Sequence, residues 1–200
     1  MKKQFLSALV MLVMMSATAQ KLKIQEGDFE NLKGIDTYSL VFDYTDVQIP
    51  KFDNEEEFLK DKMDKREEKE EGDGERFKND WFNDHPERYH PKFIESFNKR
   101  FDDSEVKVTE DDADYTMKIH TTKIYPGYNV GIVRHNAEID ATFTVFKNGD
   151  EGNVLFSGSY KDVQGSGAMG YDYNSGYRIS ECYAKLAKNI AGVINKKVLK

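Results

Sequence analysis

Gly165-Ser166-Gly167-Ala168-Met169-Gly170 spells Gly-x-Gly-x-x-Gly, the spacing that lets a backbone close on a pyrophosphate where a strand gives way to a helix. Its context withholds that chemistry. Too little chain follows for a βαβ unit and for the acid that meets a ribose about twenty residues on, so the expectation is a mobile glycine loop. No serine stands in a Gly-x-Ser-x-Gly elbow. The four histidines are His85, His90, His120 and His135, and none forms a His-x-x-x-His pair; His85 and His90, five apart, would not share a helix face. With 36 acids in 200 residues, two carboxylates near one another say nothing about acid–base work. The reading is therefore of a chain with no catalytic residues, no metal site and no cofactor.

Two segments differ from the rest. Residues 125–135 read Tyr-Pro-Gly-Tyr-Asn-Val-Gly-Ile-Val-Arg-His, and residues 165–178 carry the glycine run followed by Tyr171, Tyr173, Tyr177 and Arg178. Together they hold five of the eleven tyrosines. Tyrosine offers broad contact area at small rotamer cost, while Gly, Ser and Asn let a loop conform, the mixture that recognition loops use. Arg134 and Arg178 add cations suited to an acidic group. Tyr125, Tyr128, Arg134, His135, Tyr171, Tyr173, Tyr177 and Arg178 are the candidate binding residues.

Whether these residues can act together depends on the elements that carry them. Alternating apolar residues predict strands over 36–44, 105–110, 114–124, 138–146 and 154–162. Ile139, Ala141, Phe143 and Val145 share one face, as do Tyr115, Met117 and Ile119, with Thr116, Lys118, His120 and Thr122 opposite. Asn148-Gly149 marks a hairpin between the last two strands. In an antiparallel meander the strands ending near Ile124 and Asp162 run the same way, so the two tyrosine segments leave at one end of the sheet and the Asn-Gly turn lies at the other.

Residues 53–75 carry twelve acids and five bases, the composition of a solvated surface helix or insertion, and Gly72-Asp73-Gly74 reads as its end. Phe93, Ile94, Phe97 and Phe101 recur at helical spacing near Pro86 and Pro91, with Trp81 and Phe82 beside them. From Ser175 to Val198, Ile179, Cys182, Tyr183, Leu186, Ile190, Val193, Ile194 and Lys197 line one face of a long helix. Cys182, the single cysteine, falls within that stripe and reads as buried and inert. Residues 20–34 read as a loose lead-in, and 35–200 as one α+β domain: a two-layer sandwich with a mainly antiparallel sheet of four to five strands, covered on one face by helices.

Lys2-Lys3, an apolar run from Phe5 to Met15 and the small residues Ser16 to Ala19 have the layout of a cleavable export signal. Cleavage after Ala19 removes two lysines and takes the net charge from −7 to −9. The expectation is a periplasmic or extracellular protein with no direct membrane anchor, since no cysteine stands near Ala19 to carry a lipid. Its acidity argues against nucleic acid.

The element order, the Ala113-Asp114-Tyr115 entry into a strand and the glycine-interrupted meander resemble small bacterial envelope domains of the curli-secretion lipoprotein and TolB amino-terminal kind. Stretches such as Ile124 to Gly131 and Gly165 to Tyr183 are similar to exported bacterial proteins of unknown function. The resemblance implies an envelope setting and supplies no catalytic residues. The expected function is that of a non-enzymatic envelope module binding a partner, an envelope protein, through the tyrosine loops. Second stands a binder of a small molecule or glycan in a pocket between them, and third a hydrolase. A pocket favours the second reading; a flat or convex surface favours the first.

Overall fold

The computed structural model describes residues 21–101, 106–165 and 174–200; the export-signal layout lies outside them. Six strands form one sheet in the order β1-β8-β7-β4-β2-β3. They are β1 (Lys23–Gly27), β2 (Thr37–Asp43), β3 (Lys107–Thr109), β4 (Tyr115–Tyr125), β7 (Glu138–Lys147) and β8 (Val154–Gln164). A two-stranded hairpin, β5 (Tyr128–Asn129) and β6 (Arg134–His135), stands apart from it. The helices are α1 (Glu55–Glu67), α2 (Asp73–Asp84), α3 (His90–Asn98) and α4 (Ser175–Lys197), with a π-helical turn His85–Tyr89 joining α2 to α3.

The α+β class and the covering C-terminal helix hold, while the sheet departs from the expectation in two ways. It has six strands, and it is mixed, because β2 runs parallel to both β3 and β4. Parallel neighbours need a long crossover, and residues 44–106, with α1, α2 and α3, supply it. The sixth strand is β1, in the segment read as a loose lead-in. Its residues are all exposed and polar enough to hide from a periodicity reading, yet it pairs antiparallel with β8, Lys23 opposite Ser159. Gly27 closes it at φ 72°, where a Cβ would overlap the Leu155 carbonyl, so only glycine fits.

The meander β4-β7-β8 is antiparallel as its alternation predicts. Ile139, Ala141, Phe143 and Val145 are all buried. In β4 a bulge between Thr121 and Lys123 shifts the register. Ahead of it Thr121 continues the buried face of Met117 and Ile119, its hydroxyl 2.7 Å from the Tyr183 hydroxyl, and after it Ile124 rather than Lys123 is buried. Thr116, expected on the solvent side, is also buried and is satisfied by Ser39 and Asn148.

Asn54 caps α1 by accepting the Glu57 amide at 2.9 Å. α1 ends at Glu67, ahead of the Gly72-Asp73-Gly74 expected to close it, and that tripeptide opens α2 instead: the Glu67 carboxylate accepts the Gly72 and Gly74 amides, satisfying donors of the second helix. Pro86 and Pro91 stand at the second positions of the π turn and of α3, near helix starts within one continuous run. The π turn, closed by the His90 amide on the His85 carbonyl, accommodates the proline that an α-turn would reject.

α3 and α4 pack on the sheet. Ile179, Cys182, Tyr183, Leu186, Ile190 and Ile194 are buried as the stripe predicts, whereas Val193 is half-buried and Lys197 exposed. The Cys182 thiol donates to the Ala137 carbonyl at 3.2 Å, and burial pushes it up to about 12. Folded protein should therefore react with an aromatic disulfide reagent roughly a thousandfold slower than free cysteine, reaching the free rate only in denaturant; prompt labelling of the native state would contradict this packing.

Candidate functional site

Tyr125, Glu138 and Gln164 are paired neighbours at the ends of β4, β7 and β8, and the Gln164 amide donates to the Glu138 carboxylate at 2.7 Å. The chain leaves β4 and β8 at the same end of the sheet, and Asn148-Gly149 turns at the other, as the meander argument requires. Residues 166–173, with Tyr171 and Tyr173, lie outside the described residues.

At this rim a cleft of about 610 Å³ opens, within the range of roughly 300–1,000 Å³ typical of small-molecule sites. One wall is Tyr125 to Tyr128 together with Asn174, Ser175 and Arg178 at the start of α4. The other is Ile49 to Phe52, followed by Phe58, Lys62 and Arg66 of α1 and Asp73, Phe77, Asp80, Trp81 and Asp84 of α2. Phe58 and Trp81, the single tryptophan, form an almost fully buried floor, and the Trp81 indole N–H donates to the Glu55 carboxylate at 2.8 Å. Phe52, Phe77 and Tyr125 are half-buried and Tyr128 is exposed, so they keep ring surface toward solvent.

The eight nominated residues divide. Tyr125, Tyr128 and Arg178 line the cleft. Arg178, 8% exposed, works from behind: its guanidinium donates to the Pro126 and Gly127 carbonyls at 3.1 and 3.3 Å and fixes the loop wall against α4. Gly127 makes this closeness possible, with φ 63° and its Cα tight against the backbone of residues 135–137. Arg134 and His135 stand on β6, outside the cleft; the His135 ring lies against Tyr128, tilted by 34° with centroids 4.8 Å apart. Tyr177 faces away, its ring under the Arg88 guanidinium at 4.5 Å. The tip of this hairpin is convex and apolar, with Ile132 99% exposed and Val130 and Val133 beside it.

Periodicity missed the whole opposing wall, because residues 53–75 read as solvated surface. The available signals were Phe58 and Phe77 breaking the charge run, and Lys62 and Arg66 four apart on one helical face.

Asp84, 5% exposed, closes the cleft floor under the first turn of α4. Burial raises its carboxyl to about 6 against the opposing pull of Arg88, with which it forms an ion pair. Behind it, His85 stacks on Tyr44 and His90 on Phe42, each with centroids 3.9 Å apart. Burial lowers both imidazoles to about 4. These groups are packed into the core side of the cleft. Among the described residues no cluster of three His, Cys, Asp or Glu is placed to hold a metal, and no helix is long and apolar enough to cross a membrane. What the arrangement offers is flat aromatic surface edged by charges, which suits holding a ligand with a flat face. No family model, curated protein or solved structure matches the chain.

Proposed function

We propose that the chain is an exported, non-catalytic binding module that holds a small molecule or glycan in the rim cleft. One observation carries this reading: the nominated tyrosine loop is one wall of a concave, aromatic-floored cleft rather than part of a flat surface. Binding sites of this kind combine ring surface with a few placed polar groups. The export compartment rests on the Met1–Ala19 layout, and an envelope setting on the resemblance of the element order.

Trp81, the single tryptophan, is a built-in reporter. Titration with a panel of neutral and charged oligosaccharides and aromatic small molecules should give at least one that shifts Trp81 emission and raises Tm by a few degrees through mass action. Phe77→Ala with Tyr128→Ala should abolish that response while leaving the fold intact. If no member of the panel moves Trp81 emission or Tm, the cleft reading fails.

A second reading has its own support in the exposed hairpin tip, Val130 to Val133: docking of an envelope protein on that apolar point. Ile132→Asp would remove such docking without touching the cleft, so ligand binding that survives this substitution separates the two.

A further inference from the structure

We infer that the cleft's ligand is an acidic saccharide, a sugar ring whose apolar face lies on the aromatic wall and whose carboxylate meets Lys51 and Lys62; this rests on the cleft being a small-ligand site. The charge pattern of the walls is the first observation. The chain is acidic overall, net −7, and α1 carries Glu55, Glu56, Glu57, Asp61, Asp64 and Glu67, yet the only charged α1 side chains lining the cleft are Lys62 and Arg66. Of the helix's four cations, Lys60 and Lys65 point to solvent and pair with Asp64 and Asp61, while the other two face the cleft.

Those cations sit over rings. The Lys62 ammonium lies 5.4 Å from the Phe52 centroid and 5.6 Å from that of Phe58, and the Arg66 guanidinium lies 4.7 Å from that of Phe77. Lys62 meets Asp61, outside the cleft, at 3.2 Å. A ring lying on this wall would bring a pendant acid to a cationic head while its C–H face covers aromatic carbon.

Lys51 is the second observation. It holds φ 77° as the third residue of the Ile49–Phe52 turn, closed by the Phe52 amide on the Ile49 carbonyl at 3.1 Å, and this turn sets it at the cleft mouth. It is exposed at the cleft mouth and makes no ion pair among the described residues.

The cleft's acids narrow the class. Asp73 is occupied by Arg66 and Arg76 at 3.1 and 3.3 Å, and Asp84 by Arg88. Asp80, exposed at the rim, makes no ion pair among the described residues. With Asp73 and Asp84 held by arginines, Asp80 is left to accept hydroxyl groups, which suits a hydroxyl-rich ligand with one charge per ring.

The test compares trigalacturonate with its fully methyl-esterified form, which keeps the rings and loses the charges. In calorimetric titrations at low salt the acid should bind at least tenfold tighter than the ester, and the gap should narrow as salt rises. Lys51→Gln with Lys62→Gln should bring the ratio to about two or below, with Tm unchanged, because both side chains reach solvent. Equal binding of acid and ester would overturn the charge inference and leave the cleft reading standing. Binding of neither overturns this ligand class, and the wider panel then decides the cleft.

Discussion

Replacing Gly176 by alanine should cost about 2–4 kcal/mol in urea unfolding, although helix propensity alone says the opposite. Gly176 lies in the first turn of α4, where alanine would ordinarily gain about 1 kcal/mol over glycine. The Asp84 carboxylate decides the sign. A Cβ on Gly176 would overlap it, and Asp84 is buried and held by Arg88, so it has little freedom to withdraw. Asp84→Ala alone should change stability by about 1 kcal/mol or less, since Arg88 is partly exposed and can turn to water. Placed in that background, Gly176→Ala should become neutral or slightly stabilising. The double-mutant cycle thus predicts a coupling of at least about 2 kcal/mol. An undiminished loss in the absence of Asp84 would show that the contact is not what requires glycine there.

Acidification should weaken the fold by a comparable amount, about 2–4 kcal/mol between pH 7 and pH 4.5. His85 and His90 are lowered to about 4 by burial, against about 6.5 in the unfolded chain. Between those values the unfolded state binds more protons, so stability rises with pH and is lost as pH falls through that window. Asp84 works the other way: raised to about 6, it takes up its proton sooner in the folded state, so its contribution grows as pH falls from about 6 toward 4. Glu110, 3.9 Å from His90, also favours a protonated ring. Two histidines against one carboxyl leave a net loss, discounted for partial exposure. His85→Phe with His90→Gln should remove most of the slope, at the cost of the 3.2 Å hydrogen bond between His90 and Tyr44. Unfolding free energies that stay level from pH 7 to 4.5 would mean that these rings do not remain neutral in the folded protein.

Legibility in the sequence tracked burial pattern and failed at pairing partners. Ile139, Ala141, Phe143 and Val145 announced β7 because one face of a strand is buried and the other is not. The α4 stripe announced itself by the same logic at helical period. Even the shared end at which the chain leaves β4 and β8 followed from strand direction alone. The bulge that brings Ile124 rather than Lys123 to the buried face had no local mark, because it depends on what β7 presents to it.

The sequence by itself determined the meander strands β4, β7 and β8, the long helix α4 and its buried stripe, and that the loop after β4 and the chain leaving β8 would share an end, since each follows from local period and chain direction. Only the tertiary structure decided that β2 lies parallel to β4, that exposed β1 joins the edge, and that the charged α1 and α2 form the wall facing Tyr125 and Tyr128. It also turned Arg178 into a brace for the loop rather than an open cation. Those outcomes rest on contacts between residues far apart in the chain, such as Arg178 with Pro126 or Trp81 with Glu55, and no local pattern encodes a partner that distant.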